Sequence, residues 1–188
     1  FLLATLAVGF SFSGFGLYIS SAAKFVMDIL GLPETAFGWL FLPFIAGMVG
    51  GSWVSSRFAA RIDHERMIWI GLSVMSTGAA LNVFYNALFV AAVPWAVIPI
   101  LIYGLGMSMA LPGMTVITLN FFPTMRGLAS SLQSTVQMLI FAMVSGFVAP
   151  LLYGSALELA MGTVGSAVLC ASFWQASRWL SARQNRHI

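Results

Sequence analysis

Long runs without a charged residue constrain the fold of this chain more than any other feature. They cover residues 1–23, 35–56, 67–125, 127–157 and 159–177. A helix needs about 20 mainly apolar residues to cross the hydrocarbon layer of a bilayer. Four of the runs are long enough for one crossing each, and the run 67–125 is long enough for two. The sequence therefore predicts six membrane-spanning helices.

The composition excludes several other classes of protein. Of the 188 residues, 60% are hydrophobic and 7% are charged, whereas about 25% of an average soluble domain is charged. A soluble globular domain, a disordered chain and a nucleic-acid-binding protein are excluded. We predict an all-α, polytopic membrane protein that contacts the lipid bilayer. The six predicted spans, followed by a basic tail at 181–188, are about 1–22, 37–58, 66–88, 95–119, 127–149 and 155–180.

The basic residues between the spans predict how the chain is oriented. Short loops rich in Lys and Arg stay on the cytoplasmic side of a membrane. If Phe1 is cytoplasmic, Lys24 is the single basic residue on the opposite side, and both ends of the chain are cytoplasmic. The basic residues on the cytoplasmic side are then Arg57, Arg61, Arg66, Arg126, Arg178, Arg183 and Arg186.

Four of the predicted helices have a face that mixes aromatic, methionine and polar side chains. Gln133 and Gln137 lie one turn apart in the fifth helix, where an amide is costly unless it has a partner or water. Methionine repacks around ligands of varied shape. Packing alone explains any single Phe or Met, but the two glutamines fit either packing or a cavity for small amphipathic molecules. The candidate cavity residues are Ser11, Phe15, Tyr18, Phe41, Phe44, Met48, Tyr103, Met107, Gln133, Gln137 and Phe141.

Side chains suited to catalysis or metal binding are sparse in the predicted spans. The histidines are His64, in a predicted loop, and His187, in the tail. No cluster of His, Cys, Asp and Glu has the spacing of a metal site, and no glycine-rich phosphate-binding loop is present. We therefore expect no enzyme activity, no metal and no cofactor. The acidic residues lie at helix ends or in loops. If the protein were coupled to protons, its titrating carboxylate would be expected in a part of the protein outside this sequence.

Arginines in two predicted cytoplasmic loops are candidates for a latch. Arg57 and Arg61 follow the second span, and Arg126 precedes the fifth. One interpretation is that they only anchor the loops on the cytoplasmic side. The other is that they bind helix C-termini or carboxylates and so hold the cytoplasmic side closed.

Three stretches of the sequence resemble a known transporter family. The stretches are Tyr18-Ile-Ser-Ser-Ala with Gly31-Leu, then Phe37-Gly-Trp-Leu-Phe, and later Phe122-Pro-Thr-Met-Arg-Gly-Leu-Ala-Ser-Ser-Leu-Gln. They are similar to the C-terminal half of Bcr/CflA-type drug-resistance antiporters of the major facilitator superfamily. The loop after the second span departs from the family's loop motif of glycine, acid and basic residues. No Asp precedes Arg57, and Ala59 stands where a glycine is usual.

The resemblance implies a transporter of twelve helices in two halves, of which this chain supplies the seventh to twelfth. Its first, second, fourth and fifth helices would face a central cavity, and an N-terminal six-helix half would be its partner. Proton-coupled efflux of small drug-like compounds across a bacterial inner membrane, by alternating access, would be the function. Gln137→Ala and Tyr18→Ala would then change export without changing membrane insertion.

The alternative function is a six-helix membrane scaffold or assembly subunit that transports nothing. The chain begins at Phe1, inside an apolar helix, so we expect a further segment upstream. Another six-helix block before Phe1 would favour the transporter over the scaffold.

Overall fold

Apolar stretches of membrane-spanning length form the helices of the computed structural model, which describes residues 1–58 and 61–184. Within these residues, six helices are long and apolar enough to cross a membrane, and there is no β-strand. The predicted all-α fold with six spans is confirmed. The helices are α1 (Leu2–Ser20), α2 (Gly38–Phe58), α3 (His64–Leu88), α4 (Ile98–Leu119), α5 (Arg126–Leu152) and α6 (Ala156–Gln184).

The ends of several helices follow from local sequence. α3 begins after Asp63, whose carboxylate accepts a hydrogen bond from the backbone N–H of Glu65, a stabilising N-cap. A π-helical turn, Val144–Val148, interrupts α5 shortly before Pro150, which has no N–H to donate. α6 continues to Gln184, so the first half of the predicted tail is helical. Residues 185–188 and Ala59 lie outside the described residues.

The connection between α1 and α2 is built from two short helices. A π-helical segment, Lys24–Ile29, follows α1, and a 3₁₀ turn, Glu34–Phe37, leads into α2. Between them, Gly31 has a φ of +64°, a conformation that glycine adopts without the steric cost of a side chain. The chain can therefore reverse direction within a few residues.

α1 and α4 lie in the centre of the bundle. α3 packs against α4 and α6, α2 packs against α4, and α5 packs mainly against α1, which also contacts α6 and α4. Buried residues make up 67% of the span of α1 and 56% of that of α4, but 22% for α2 and 17% for α5. The helices α2 and α5 therefore lie at the edges of the bundle with most of their surface uncovered.

Glycines allow α4 to approach α3 and α2 closely. A Cβ added to Gly71 of α3 would lie 2.7 Å from the backbone nitrogen of Ala110, and one added to Gly78 would lie 2.6 Å from that of Tyr103. Gly47 and Gly51 of α2 contact the carbonyl oxygens of Leu101 and Leu105 in the same way. Small residues at these four positions bring the helix backbones into contact, which is how membrane helices pack tightly.

Candidate substrate-facing surface

A row of aromatic rings crosses α2, α1 and α5. Phe44 stacks on Phe15 with 3.2 Å between ring centroids, and Phe41 meets Phe15 edge-on at 6.4 Å. On its other side, the ring centroid of Phe15 lies 6.5 Å from that of Phe12, which lies 6.3 Å from that of Phe141. We call these five residues the aromatic row. Aromatic pairs contribute about 0.5–1.5 kcal/mol each beyond the area they bury, so the row ties both edge helices to α1.

One side of the aromatic row is open. Phe15 and Phe44 are buried, whereas Phe12, Phe41 and Phe141 are half-buried. Partly exposed rings of the row therefore reach the surface on all three helices, Phe41 on α2, Phe12 on α1 and Phe141 on α5. A planar apolar molecule could lie against this surface in the way that one ring of the row lies against the next.

Glycines on α1 set the distance between α1 and α5. A Cβ at Gly16 would lie 2.9 Å from the ring of Phe141, and a Cβ at Gly9 would lie 3.6 Å from the Cα of Gln137. Near the far end of the same contact, the hydroxyls of Ser20 and Ser145 form a hydrogen bond. Phe141 therefore lies beside α1 because Gly16 carries no side chain, and the absence of a side chain at Gly9 leaves room for Ile140 of α5.

The two glutamines of α5 have different surroundings. Gln133 is 6% exposed, and its Nε2 donates to the hydroxyl of Thr115 on α4 at 3.3 Å. Its Oε1 is buried without a hydrogen-bond partner among the described residues. Gln137, one turn further along, is half-buried at the margin of the aromatic row. Gln133 thus fits the packing interpretation, and Gln137 is the amide nearer to the open surface.

Four other predicted cavity residues lie inside the bundle. Tyr103 donates its hydroxyl proton to the backbone carbonyl of Ser11 at 2.9 Å, and the Tyr18 hydroxyl accepts from Nδ2 of Asn82 at 2.7 Å. Ser11, Tyr18, Tyr103 and Met107 are all buried. These side chains join α1 to α3 and α4 and present no open surface within the bundle.

The predicted cavity set therefore divides in two. The buried members are Ser11, Phe15, Tyr18, Phe44, Tyr103, Met107 and Gln133, and the half-buried members are Phe41, Met48, Gln137 and Phe141. Of the predicted residues of α1, α2 and α5, the four phenylalanines belong to the aromatic row, whereas Ser11, Tyr18 and Gln133 are covered by other helices. Those of α4 lie behind α1.

Two residues of this region were missed by the sequence analysis. Phe12 completes the aromatic row, but nothing in the sequence distinguishes it from the other fifteen phenylalanines. Asn82 is 2% exposed in α3, where it donates to Tyr18 and accepts from Asn86 at 2.9 Å. An amide inside a membrane helix needs a partner, so Asn82 carries the same sequence signal as the two glutamines.

The three latch candidates lie on the surface at one end of the bundle. Arg57 is in the last turn of α2, and Arg61 follows the helix; both are exposed. Arg126 is the first residue of α5 and donates from Nη2 to Oδ1 of Asn120 at 3.1 Å. No carboxylate among residues 1–58 and 61–184 forms an ion pair with any of the three. Their role as a latch stays a prediction.

Comparisons with known proteins agree with this architecture. The sequence model of the Major Facilitator Superfamily matches residues 1–146, which include α1 to α4 and most of α5. A bicyclomycin resistance protein homolog from Haemophilus influenzae is 26% identical over 180 residues, which cover 94% of this chain and 45% of the relative. The chain spans less than half the length of that curated relative.

These similarities confirm the resemblance that the sequence predicted, to one half of a drug-resistance transporter of the Bcr/CflA kind. They place the chain in a family of membrane transporters and not in a family of enzymes. Its six apolar helices make it an integral, multi-pass membrane protein. With more than three quarters of its residues matched, the chain belongs to the Major Facilitator Superfamily.

Proposed function

We propose that this chain is one half of a secondary transporter that exports small amphipathic, drug-like compounds in exchange for protons. The observation that carries the proposal is the similarity to a bicyclomycin resistance protein homolog along 94% of the chain. That relative is more than twice as long as the matched segment, which leaves length for a second six-helix half. Family membership also argues against the alternative of a membrane scaffold.

The second half would lie against α2 and α5. These edge helices have the least buried spans of the six. Their uncovered faces carry large apolar side chains, among them Leu42 and Val49 on α2 and Leu139 and Phe147 on α5. A partner bundle that contacts both edges would enclose the aromatic row between the two halves. The substrate site would then lie between two bundles that alternate in opening to each side of a bacterial inner membrane.

The chemistry of the enclosed surface favours amphipathic compounds. The aromatic row supplies apolar rings, and Gln137 at its margin supplies one amide that can donate and accept hydrogen bonds. Sites for small molecules are mostly apolar with a few polar groups that fix orientation. Because the row contains no charged side chain, we expect selection by shape and apolar area, with tolerance for different compounds.

Removing one ring of the open surface tests the substrate site. In the full-length transporter, Phe141→Ala should lower export up to about tenfold, because an aromatic contact is worth about 0.5–1.5 kcal/mol beyond its area. Gln137→Ala should change the relative export of compounds that differ in hydrogen-bonding groups. Both are measured as substrate accumulation in cells, normalised to the amount of transporter in the membrane.

Phe84→Ala is the matched control for Phe141→Ala. Phe84 is 62% exposed on α3, a helix that contributes nothing to the aromatic row. Export by this variant should stay at the level of the parent protein. Equal loss of export in the two variants, or a fall in transporter amount that accounts for the loss at Phe141, would contradict a substrate role.

A latch predicts a different pattern from a substrate contact. Arg57→Ala should slow the export of chemically different compounds by the same factor, because a latch does not contact the substrate. A cation near a helix C-terminus is worth about 0.3–1 kcal/mol, so a reduction of about twofold to fivefold is expected. Initial export rates of three unrelated compounds measure this. Arg66→Ala, which removes an exposed arginine at the start of α3, is the control. If Arg57→Ala lost the export of one compound selectively, the latch would be excluded.

A further inference from the structure

A groove between α3 and α6 lies away from the substrate-facing surface. It has a volume of about 740 Å³ and is lined by Glu65 and Trp69 of α3 and by Gln175, Arg178 and Trp179 of α6, with smaller residues between them. None of the helices that carry the aromatic row contributes to it. The groove therefore has no part in the function proposed above and needs a separate explanation.

An ion pair lines the groove, and a second arginine lies beside it, over the ring of the lining residue Trp179. Arg178 binds Glu65 with two hydrogen bonds, Nε to Oε1 at 3.0 Å and Nη2 to Oε2. This bidentate pair neutralises Glu65. Arg183, one turn further along α6, lies over the ring of Trp179 with 3.6 Å from its guanidinium carbon to the ring centroid. Glu65 and Arg178 cancel within the lining, so the positive charge comes from Arg183 at the edge of the groove, and the exposed Arg66 adjoins Glu65 in sequence.

The surroundings of the groove indicate that it opens toward lipid. Exposed apolar side chains continue from its walls along both helices: Ile70 on α3, and Val168, Leu169 and Leu180 on α6. Trp69 and Trp179 lie near the ends of their helices, the depth that indoles favour at a membrane interface. The excess of arginines at this end of the bundle predicts that it faces the cytoplasm.

The combination of charge, indoles and apolar walls matches one kind of ligand. The cytoplasmic leaflet contains anionic lipids, and basic pockets between membrane helices on that side bind their headgroups. Arg183 offers up to five N–H donors from a planar group suited to phosphate oxygens. The apolar walls below the arginines would contact the glycerol backbone and the start of an acyl chain.

We propose that this groove binds one anionic phospholipid of the cytoplasmic leaflet, with its phosphate at Arg183 and its apolar part against Trp179 and Trp69. The Arg178–Glu65 pair lines the site and joins α3 to α6 across 113 residues of sequence. The bound lipid adds a second connection between the same two helices.

Native mass spectrometry of the full-length protein tests the proposal. The protein is purified from mixed micelles with equal amounts of phosphatidylglycerol and phosphatidylcholine. We expect one phosphatidylglycerol to be retained in preference to phosphatidylcholine. Arg183→Gln should lower its occupancy about fivefold, the effect of removing one basic residue near an anionic lipid. Trp179→Leu should also lower it, through the apolar part of the site.

Two controls separate a site from general attraction. Arg126→Gln removes an exposed arginine from the same end of the bundle but from α5, and should leave the occupancy unchanged. Inorganic phosphate, added at the same concentration as the lipid, should not displace it. Equal retention of the two lipids, an unchanged occupancy in Arg183→Gln, an equal loss in Arg126→Gln, or displacement by phosphate would each overturn the proposal.

Discussion

Gly106→Val is expected to abolish accumulation of the folded protein. A Cβ at Gly106 of α4 would lie 2.6 Å from the carbonyl oxygen of Gly71 and 2.7 Å from the Cα of Met75, both backbone atoms of α3. Rotation of a side chain cannot relieve such an overlap, so α3 and α4 must separate along their contact. Overpacking in a core typically costs about 1–3 kcal/mol, and we expect a cost at or above the upper end of that range.

The measurement for this variant is the thermal unfolding of detergent-purified protein, followed by size-exclusion chromatography. Gly165→Val is the matched control, because a Cβ at Gly165 of α6 meets no atom within 4 Å. The control should unfold at the temperature of the parent protein, whereas Gly106→Val should yield aggregated material. If the two variants are equally stable, the close contact between α3 and α4 is wrong.

Tyr18→Ala is expected to destabilise the bundle and not to alter substrate selection. Tyr18 is 1% exposed, meets the ring of Phe25 edge-on at 5.0 Å and accepts a hydrogen bond from Asn82. Truncating a large buried aromatic residue typically costs about 3–5 kcal/mol, and the amide of Asn82 would also lose a partner. We therefore expect a strong loss of folded protein, a different outcome from the one the sequence alone suggested.

Tyr18→Phe separates the hydrogen bond from the packing. It keeps the ring and removes the hydroxyl, so the cost should be about 1–3 kcal/mol, that of an unsatisfied buried amide. Tyr85→Phe is the control, because the half-buried Tyr85 makes a single long hydrogen bond of 3.3 Å to the carbonyl of Val90. Both are measured as shifts in thermal unfolding. Normal stability of Tyr18→Ala with altered export would mean that Tyr18 reaches the substrate.

The helices could be predicted from sequence because a bilayer restricts what a backbone can do. Every N–H and C=O inside the hydrocarbon needs an internal partner, so an apolar run of sufficient length becomes a helix. The run 67–125 was divided into two where Asn86, Pro94 and Pro99 cluster, and α3 ends shortly after Asn86 while α4 begins just before Pro99. The number and type of the elements therefore needed no knowledge of their neighbours.

The candidate site was less predictable, because periodicity identifies a helix face but not what covers it. Phe15 and Phe141 occupy faces that the sequence grouped with Tyr18 and Tyr103, yet the tyrosines are covered by α3 and α4. The contact of Phe12 with Phe141 depends on Gly16 across the interface. The two tyrosine contacts join residues 64 and 92 positions apart, and Phe12 and Phe141 are still further apart. The pattern within one helix cannot predict such pairs.

The sequence by itself determined that this chain crosses a membrane six times as helices, since that follows from apolar length and backbone hydrogen bonding. It also contains stretches similar to a known family, which indicated one half of a transporter. Only the tertiary structure decided which polar and aromatic side chains join helices and which stay open. In lipid, helices associate through close packing and specific contacts, so the neighbour of each face is set by the shape of the whole bundle, as in the pairing of Glu65 with Arg178.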